Sequence, residues 1–212
     1  MGLWQILYGI KPSDLNDYIK WFEEDHIAEK LARPGYDWAA HYQIDNEQSD
    51  ISEVNDQKFI AMFGSHNTQA FYNPCPLQLK KFQDDLTKSM IAKRQSTQAS
   101  ILCEEWQINK FSDPADLSPV DAPWILIKTF DSISNDQLFN AWCCQCFMKE
   151  ASKQPGFIRG RKFLGSDSVI KHTIIIEYEQ PVELKSLSLQ ADFIDLTFNE
   201  LATVWAKILW PS

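Results

Sequence analysis

Apolar residues crowd the stretch from Leu3 to Ile10, and the chain then turns polar at Lys11-Pro12-Ser13-Asp14. A short apolar run closed by turn residues reads as a strand. From Leu15 the period changes: Leu15, Tyr18, Ile19, Phe22 and His26 recur on one face at about 100° per residue, the spacing of a helix packed on a sheet. Pro34-Gly35 should end that helix, because proline disfavours helical geometry in the residue before it. Tyr36 to Gln43 and Lys58 to Gly64 read as strands either side of a polar loop, Asp45 to Gln57. Leu77 to Lys93 reads as a second helix and Ala99 to Ile108 as a fourth strand, which completes the β-α-β-β-α-β order of a ferredoxin-like unit.

The pattern then repeats. Trp21 is separated from Pro34-Gly35 by the same interval as Trp142 from Pro155-Gly156, an offset of 142 minus 21, or 121. The same offset pairs Ile6 with Ile127, Ser13 with Ser134, Tyr18 with Phe139, Tyr36 with Phe157 and Tyr42 with Phe163, without a gap. Chance supplies one such match easily, but not the series in register. Each serine is the expected cap of its helix, and Ser134 to Gln137 has capping-box spacing. In the second copy Trp124 to Phe130, Phe157 to Leu164 and His172 to Glu179 read as strands, and Ala191 to about Trp205 as a helix. That leaves only Ala206 to Ser212 for a fourth strand, which should be very short or missing. The proline-rich segment Phe111 to Pro123 reads as a linker. The expected organisation is therefore α+β, with ferredoxin-like repeats at residues 1–112 and 123–212 and a linker at 113–122.

Composition narrows the partners. The chain has 212 residues, 44% of them apolar, with 20 Lys plus Arg against 29 Asp plus Glu, a formal charge of -9. Scattered basic residues and an acidic balance argue against an extended nucleic-acid or anionic-membrane surface, since a polyanion is held mainly by Lys and Arg. No signal peptide, myristoylation signal or long apolar span is legible, so a cytoplasmic location is expected. Five cysteines, three of them in Cys143-Cys144-Gln145-Cys146, do not form a secreted disulfide pattern. Zinc is not expected either: only Cys143 and Cys146 share a helix face, there is no second ligand pair, and His66 and His172 lack ligand spacing.

The run Trp21-Phe22-Glu23-Glu24-Asp25-His26-Ile27, followed by Leu31, Pro34-Gly35-Tyr36 and His41-Tyr42, resembles the EthD-like branch of the dimeric α/β-barrel superfamily. There a Trp-Tyr-x-x-x-His helix precedes Pro-Gly and an Arg-Arg-Tyr-like strand end. The likeness covers the first 45 residues well and the second half more weakly, where Phe147 stands in the place of His26. It implies ferredoxin-like units pairing their sheets into a barrel, usually between two chains and here within one. It also implies company with dehydratase-like and cyclase-like enzymes acting on aromatic or polyketide-type molecules, and fold membership fixes no reaction.

His26 is the leading candidate for chemistry. An imidazole on the sheet-facing side of the helix can serve as general acid or base, with Glu29 one turn on to orient it; Phe147 in the second half shows that a bulky core residue also satisfies the fold. Tyr42 alternates with His41, so only one of them faces the barrel interior, and Tyr42 shares the face of Trp38 and Tyr36. That face can hold a flat ligand or simply pack. Arg159 and Arg161 share a strand face and can bind a carboxylate or enolate, although solvated arginines are commoner. The expected catalytic residues are thus His26 and Tyr42, with Trp38, Glu29 and Arg161 contacting substrate and no metal or organic cofactor. The expected function is an acid–base enzyme, a cyclase, dehydratase, isomerase or lyase, holding a small hydrophobic carbonyl compound between the sheets. A non-catalytic barrel that binds a small molecule or self-assembles, for example as a homodimer, is the alternative, and a cofactorless monooxygenase the third reading.

Overall fold

A computed structural model describes residues 1–50, 57–110, 122–166, 170–182, 193 and 195–211. Eight strands form one closed antiparallel barrel: β1 (Gly2–Ile10), β2 (Trp38–Ile44), β3 (Gln57–Ser65), β4 (Gln95–Asn109), β5 (Trp124–Ile133), β6 (Phe157–Gly165), β7 (His172–Tyr178) and β8 (Phe198–Trp210). Around the barrel the order is β1-β3-β2-β8-β5-β7-β6-β4. Exchanging β1–β4 for β5–β8 leaves that order unchanged, and closure, which the family resemblance implies within one chain, leaves no free edge among these eight strands.

Strand alternation makes three apolar layers. Leu3, Tyr42, Met62, Ile127, Phe163 and Val204 point into the barrel, where side chains pack against one another. The opposite faces carry Trp4, Ile6, Tyr8, Phe59 and Phe63 in the first half, covered by the first helix. In the second half Leu126, Phe130, Ile174 and Trp205 are covered by the helix that contains Trp142.

Both covering helices have the same irregularity. Helix α1 (Leu15–Trp21) passes through a π-helical turn, Phe22–His26, into α2 (Ile27–Leu31). Further on, α3 (Pro76–Leu79) and α4 (Asp85–Ile91) precede β4. In the second half α5 (Asp136–Trp142) passes through Cys143–Phe147 into α6 (Met148–Ala151). The two π turns are themselves 121 residues apart, and Gly35 and Gly156 both take a positive φ just beyond the helices, at +84° and +74°. A π turn inserts one residue and rotates the next helical turn about the axis. Counting about 3.6 residues per turn from Tyr18, a regular helix centres Asp25 and Glu29 on the sheet and leaves His26 at the edge of that face. With the extra residue His26 and Lys30 face it instead, each 3% exposed.

Several boundaries differ from the sequence reading. The helix expected from Ala191 to Trp205 is not formed in its second part: β8 occupies Phe198–Trp210, a full fourth strand. Val204, Ala206 and Ile208 alternate with Trp205 and Lys207, a period of two, and β8 has a partner on each side in β2 and β5. Its expected start and nearly all of the 113–122 linker fall outside the described residues. The helix expected over Leu77 to Lys93 is broken, because the Asp84 carboxylate accepts a bond from Thr87 N–H at 2.6 Å and starts a new helix there. Neither expected serine caps its helix. Ser13 lies in a 3₁₀ turn, Pro12–Asp14, while Asn135 caps α5 through Leu138 N–H at 3.0 Å and Ser134 bonds Thr197 instead.

Trp38 lies opposite Gly64 on β3, and a Cβ at position 64 would fall 1.9 Å from the indole. Gly64→Ala should therefore force the ring off its rotamer and lower stability by about 1–3 kcal/mol. Thermal melting checks it, and an unchanged Tm would mean that the indole has room to move.

Candidate functional site

The structure separates the expected site residues into two places. Tyr42, Trp38 and Arg161 lie inside the barrel, whereas His26 and Glu29 lie outside it, on the helix. Tyr42 is fully buried and its hydroxyl donates to the Ala122 carbonyl at 3.1 Å. Tyr36, expected on the same face as Tyr42, packs in the outer layer because it precedes β2. Arg159 and Arg161 do share the inner face, but they are buried rather than solvated: the Glu177 carboxylate accepts Arg159 Nη2 at 2.8 Å and lies 3.0 Å from Arg161 Nε. Burial depresses the Arg161 pKa, and Glu177 opposes that.

A cavity of about 520 Å³ opens outside the barrel, against the outer faces of β1 and β4. Trp4, Ile6, Leu79, Ile91 and Ala99 give it an apolar wall, and the segment Tyr72 to Gln83 borders it. His26, Lys30 and Arg94 bring the polar groups. The π turn is what aims His26 and Lys30 there.

Burial tunes both. His26 packs on Trp21 at a ring distance of 4.6 Å, and desolvation pulls its pKa down to about 4, although Glu29 pulls the other way. Its Nδ1 lies 3.5 Å from the Glu29 carboxylate, too long for a normal hydrogen bond, and has no bonded partner among the described residues. Glu29, which the sequence places on nearly the same face, is rotated out to 44% exposure and gives its shortest contact to Arg33, 2.6 Å away. Desolvation also lowers Lys30, to about 8, against the attraction of Glu29. The imidazole is therefore neutral at physiological pH, and the amine titrates close to it.

Behind the cavity wall lies a buried network absent from the expected site. His41, the neighbour of Tyr42, faces the helix: Glu23 accepts from its Nδ1 at 2.9 Å, and its Nε2 lies 2.9 Å from the Tyr8 hydroxyl. The Arg94 guanidinium stacks over Tyr8 at 4.6 Å, and its Nε donates to the Tyr18 hydroxyl at 2.6 Å. The chain Glu23–His41–Tyr8 and the pair Tyr18–Arg94 thus brace one cation of the cavity. Strand alternation announces that His41 and Tyr42 point opposite ways, but not which of them meets a carboxylate. Lys30 is hidden from a regular helical period by the π turn, and nothing in the local pattern marks Arg94.

In the second half the matching position to His41 is Lys162, whose Nζ meets Glu105 at 2.6 Å and His172 Nδ1 at 2.7 Å. Cys143 is buried beneath α5, where desolvation raises its pKa. Among the described residues no three His, Cys, Asp or Glu side chains converge to hold a metal, and no helix is long and apolar enough to cross a membrane.

The lowered histidine pKa values make stability depend on pH. Between about pH 4 and 6.5 the unfolded chain binds a proton at His26 that the folded chain does not, so stability rises with pH and is lost on acidification. His26 alone should contribute about 3 kcal/mol over that window, and burial of His41 and His172 adds with the same sign. Urea unfolding should show a falling midpoint from pH 7 to 4.5, with a shallower fall in His26→Phe. An equal fall in both would place the titration elsewhere.

Neither a protein-family model nor any curated protein sequence matches the chain. Among solved structures it resembles an anthrone oxidase-like protein, with a TM-score of 0.59 at 8% identity over 97% of this chain and 90% of that one. A monooxygenase-like protein from Fusobacterium nucleatum gives a TM-score of 0.55 at 10% identity over 98% and 92%. At such identities the likeness is one of fold.

Proposed function

We propose that the chain is an internally duplicated, EthD-like barrel and a cofactor-independent acid–base enzyme, with its working site in the cavity between the first helix and β1 and β4. The observation that carries this reading is the convergence of a neutral His26 and an amine of lowered pKa, Lys30, on one mostly apolar cavity. Perturbed titratable groups in a cleft are where acid–base chemistry is arranged. In this reading the imidazole takes a proton from carbon next to the substrate's carbonyl, and the Lys30 ammonium faces the enolate oxygen that forms. A nearby enolate favours the imidazolium and so offsets the low intrinsic basicity of His26. Substrate sits outside the barrel, not between the sheets, and Tyr42, Trp38 and Arg161 serve the barrel's interior packing.

The duplication is supported by the matched π turns, the matched positive-φ glycines and the invariant strand order. Because only the first copy carries His26, one repeat holds the chemistry and the other completes the barrel.

The test is deuterium uptake by an enolisable aryl ketone such as 2-tetralone in D₂O, followed by NMR. Exchange faster than in protein-free buffer supports the reading; binding without faster exchange across a panel of such ketones would leave a non-catalytic binding barrel. The names of the two structural neighbours favour a second reading, in which the carbanion reacts with O₂. An oxygen electrode with anthrone as probe separates it, since oxygen uptake belongs only to that reaction.

A further inference from the structure

The cavity has an electrostatic character opposite to that of the chain. Sixteen of the described residues line it, and they include Lys30, Lys80 and Arg94 but no aspartate or glutamate, in a protein with 29 acidic against 20 basic residues. Two of these cations have unused capacity. Arg94 is fixed by the Tyr18 hydroxyl at Nε and by stacking on Tyr8, while its buried Nη2 has no hydrogen-bond partner among the described residues. Lys30, only 3% exposed, has Glu29 at 3.5 Å, but the same Glu29 oxygen is held at 2.6 Å by Arg33. Two like charges facing an apolar cavity repel each other, and an anion between them relieves that cost.

We propose that this cavity recognises a flat, mostly apolar molecule bearing a carboxylate, with Lys30 and the braced Arg94 guanidinium as its anion cradle. The carboxylate accepts from the Arg94 guanidinium and Lys30 Nζ, and the hydrocarbon body lies along Trp4, Ile6 and Leu79. This names the substrate class for the site of the proposed enzyme and rests on that assignment of the cavity. Tyr8 and Tyr18 are positioning residues, because they hold Arg94 without touching the ligand.

Recognition can be read without turnover, using isothermal titration calorimetry of 2-naphthoate and its neutral isostere 2-naphthamide. Wild type should bind the carboxylate at least about tenfold more tightly than the amide, as a charge-assisted pair requires. Arg94→Gln should abolish that preference by weakening naphthoate alone, and Lys30→Met should reduce it; if the first variant melts early, the second carries the test. Tyr18→Phe, which frees Arg94, should lower the preference and be matched by no change for the amide. Equal affinities in wild type, no binding of either probe, or a preference untouched in both cation variants would each overturn the proposal. Neither probe enolises, so a positive result here beside absent deuterium exchange would refute the acid–base chemistry and leave the anion cradle standing.

Discussion

Replacing His26 with Phe is expected to lower ketone exchange about 10²–10⁴-fold, the usual contribution of one general acid or base, while the protein stays folded. The second half supplies the reason for expecting a stable variant. Phe147 occupies the same place in its π turn as His26 and is 4% exposed, so this backbone accepts a benzyl side chain under the helix. His26 Nδ1 has no bonded partner among the described residues, and removing a buried unpaired polar atom is neutral or stabilising. Turnover equal to wild type in a well-folded His26→Phe would remove the histidine from the mechanism. A large loss of stability without selective loss of activity would make it a structural residue.

The largest effect on stability is expected inside the barrel. Glu177 is 1% exposed and lies between the guanidiniums of Arg159 and Arg161, each itself buried. Glu177→Gln keeps the volume but removes the carboxylate charge that both buried arginines meet, a change that typically costs about 3–5 kcal/mol. For a chain of this size that is a fall in Tm of roughly 6–20 °C. Replacing all three residues with apolar ones of similar volume should restore most of the loss, since a buried ion pair is seldom more stable than good packing. A shift below about 2 °C in Glu177→Gln would show that water reaches the arginines.

The fold is legible in the sequence where short-range pattern and register agree. The first two strands of each half and the helix between them come from the offset of 121 and the Pro-Gly stops, because each match reports the same backbone need in both halves. The end of the chain misleads because Ala191 to Trp205 has a helical spacing that two flanking strands override, and β pairing is a long-range interaction with no local mark. The site is legible in part. Period and residue type single out His26, but the π turn moves Glu29 outward and Lys30 inward, and a one-residue helical insertion leaves no trace in apolar spacing. His41 and Arg94 depend on partners, Glu23, Tyr8 and Tyr18, that only the tertiary structure brings near.

If chemistry occurs in the outer cavity and not between the sheets, Ala99→Trp is the substitution that shows it most directly. Ala99 is exposed on β4 and lines the cavity, so an indole there fills the space without entering the barrel. Deuterium exchange measured beside thermal melting should show activity reduced to the level of protein-free buffer with Tm kept within a few degrees of wild type. Exchange at the wild-type rate in the filled variant would contradict the outer-cavity assignment and return the site to the barrel interior.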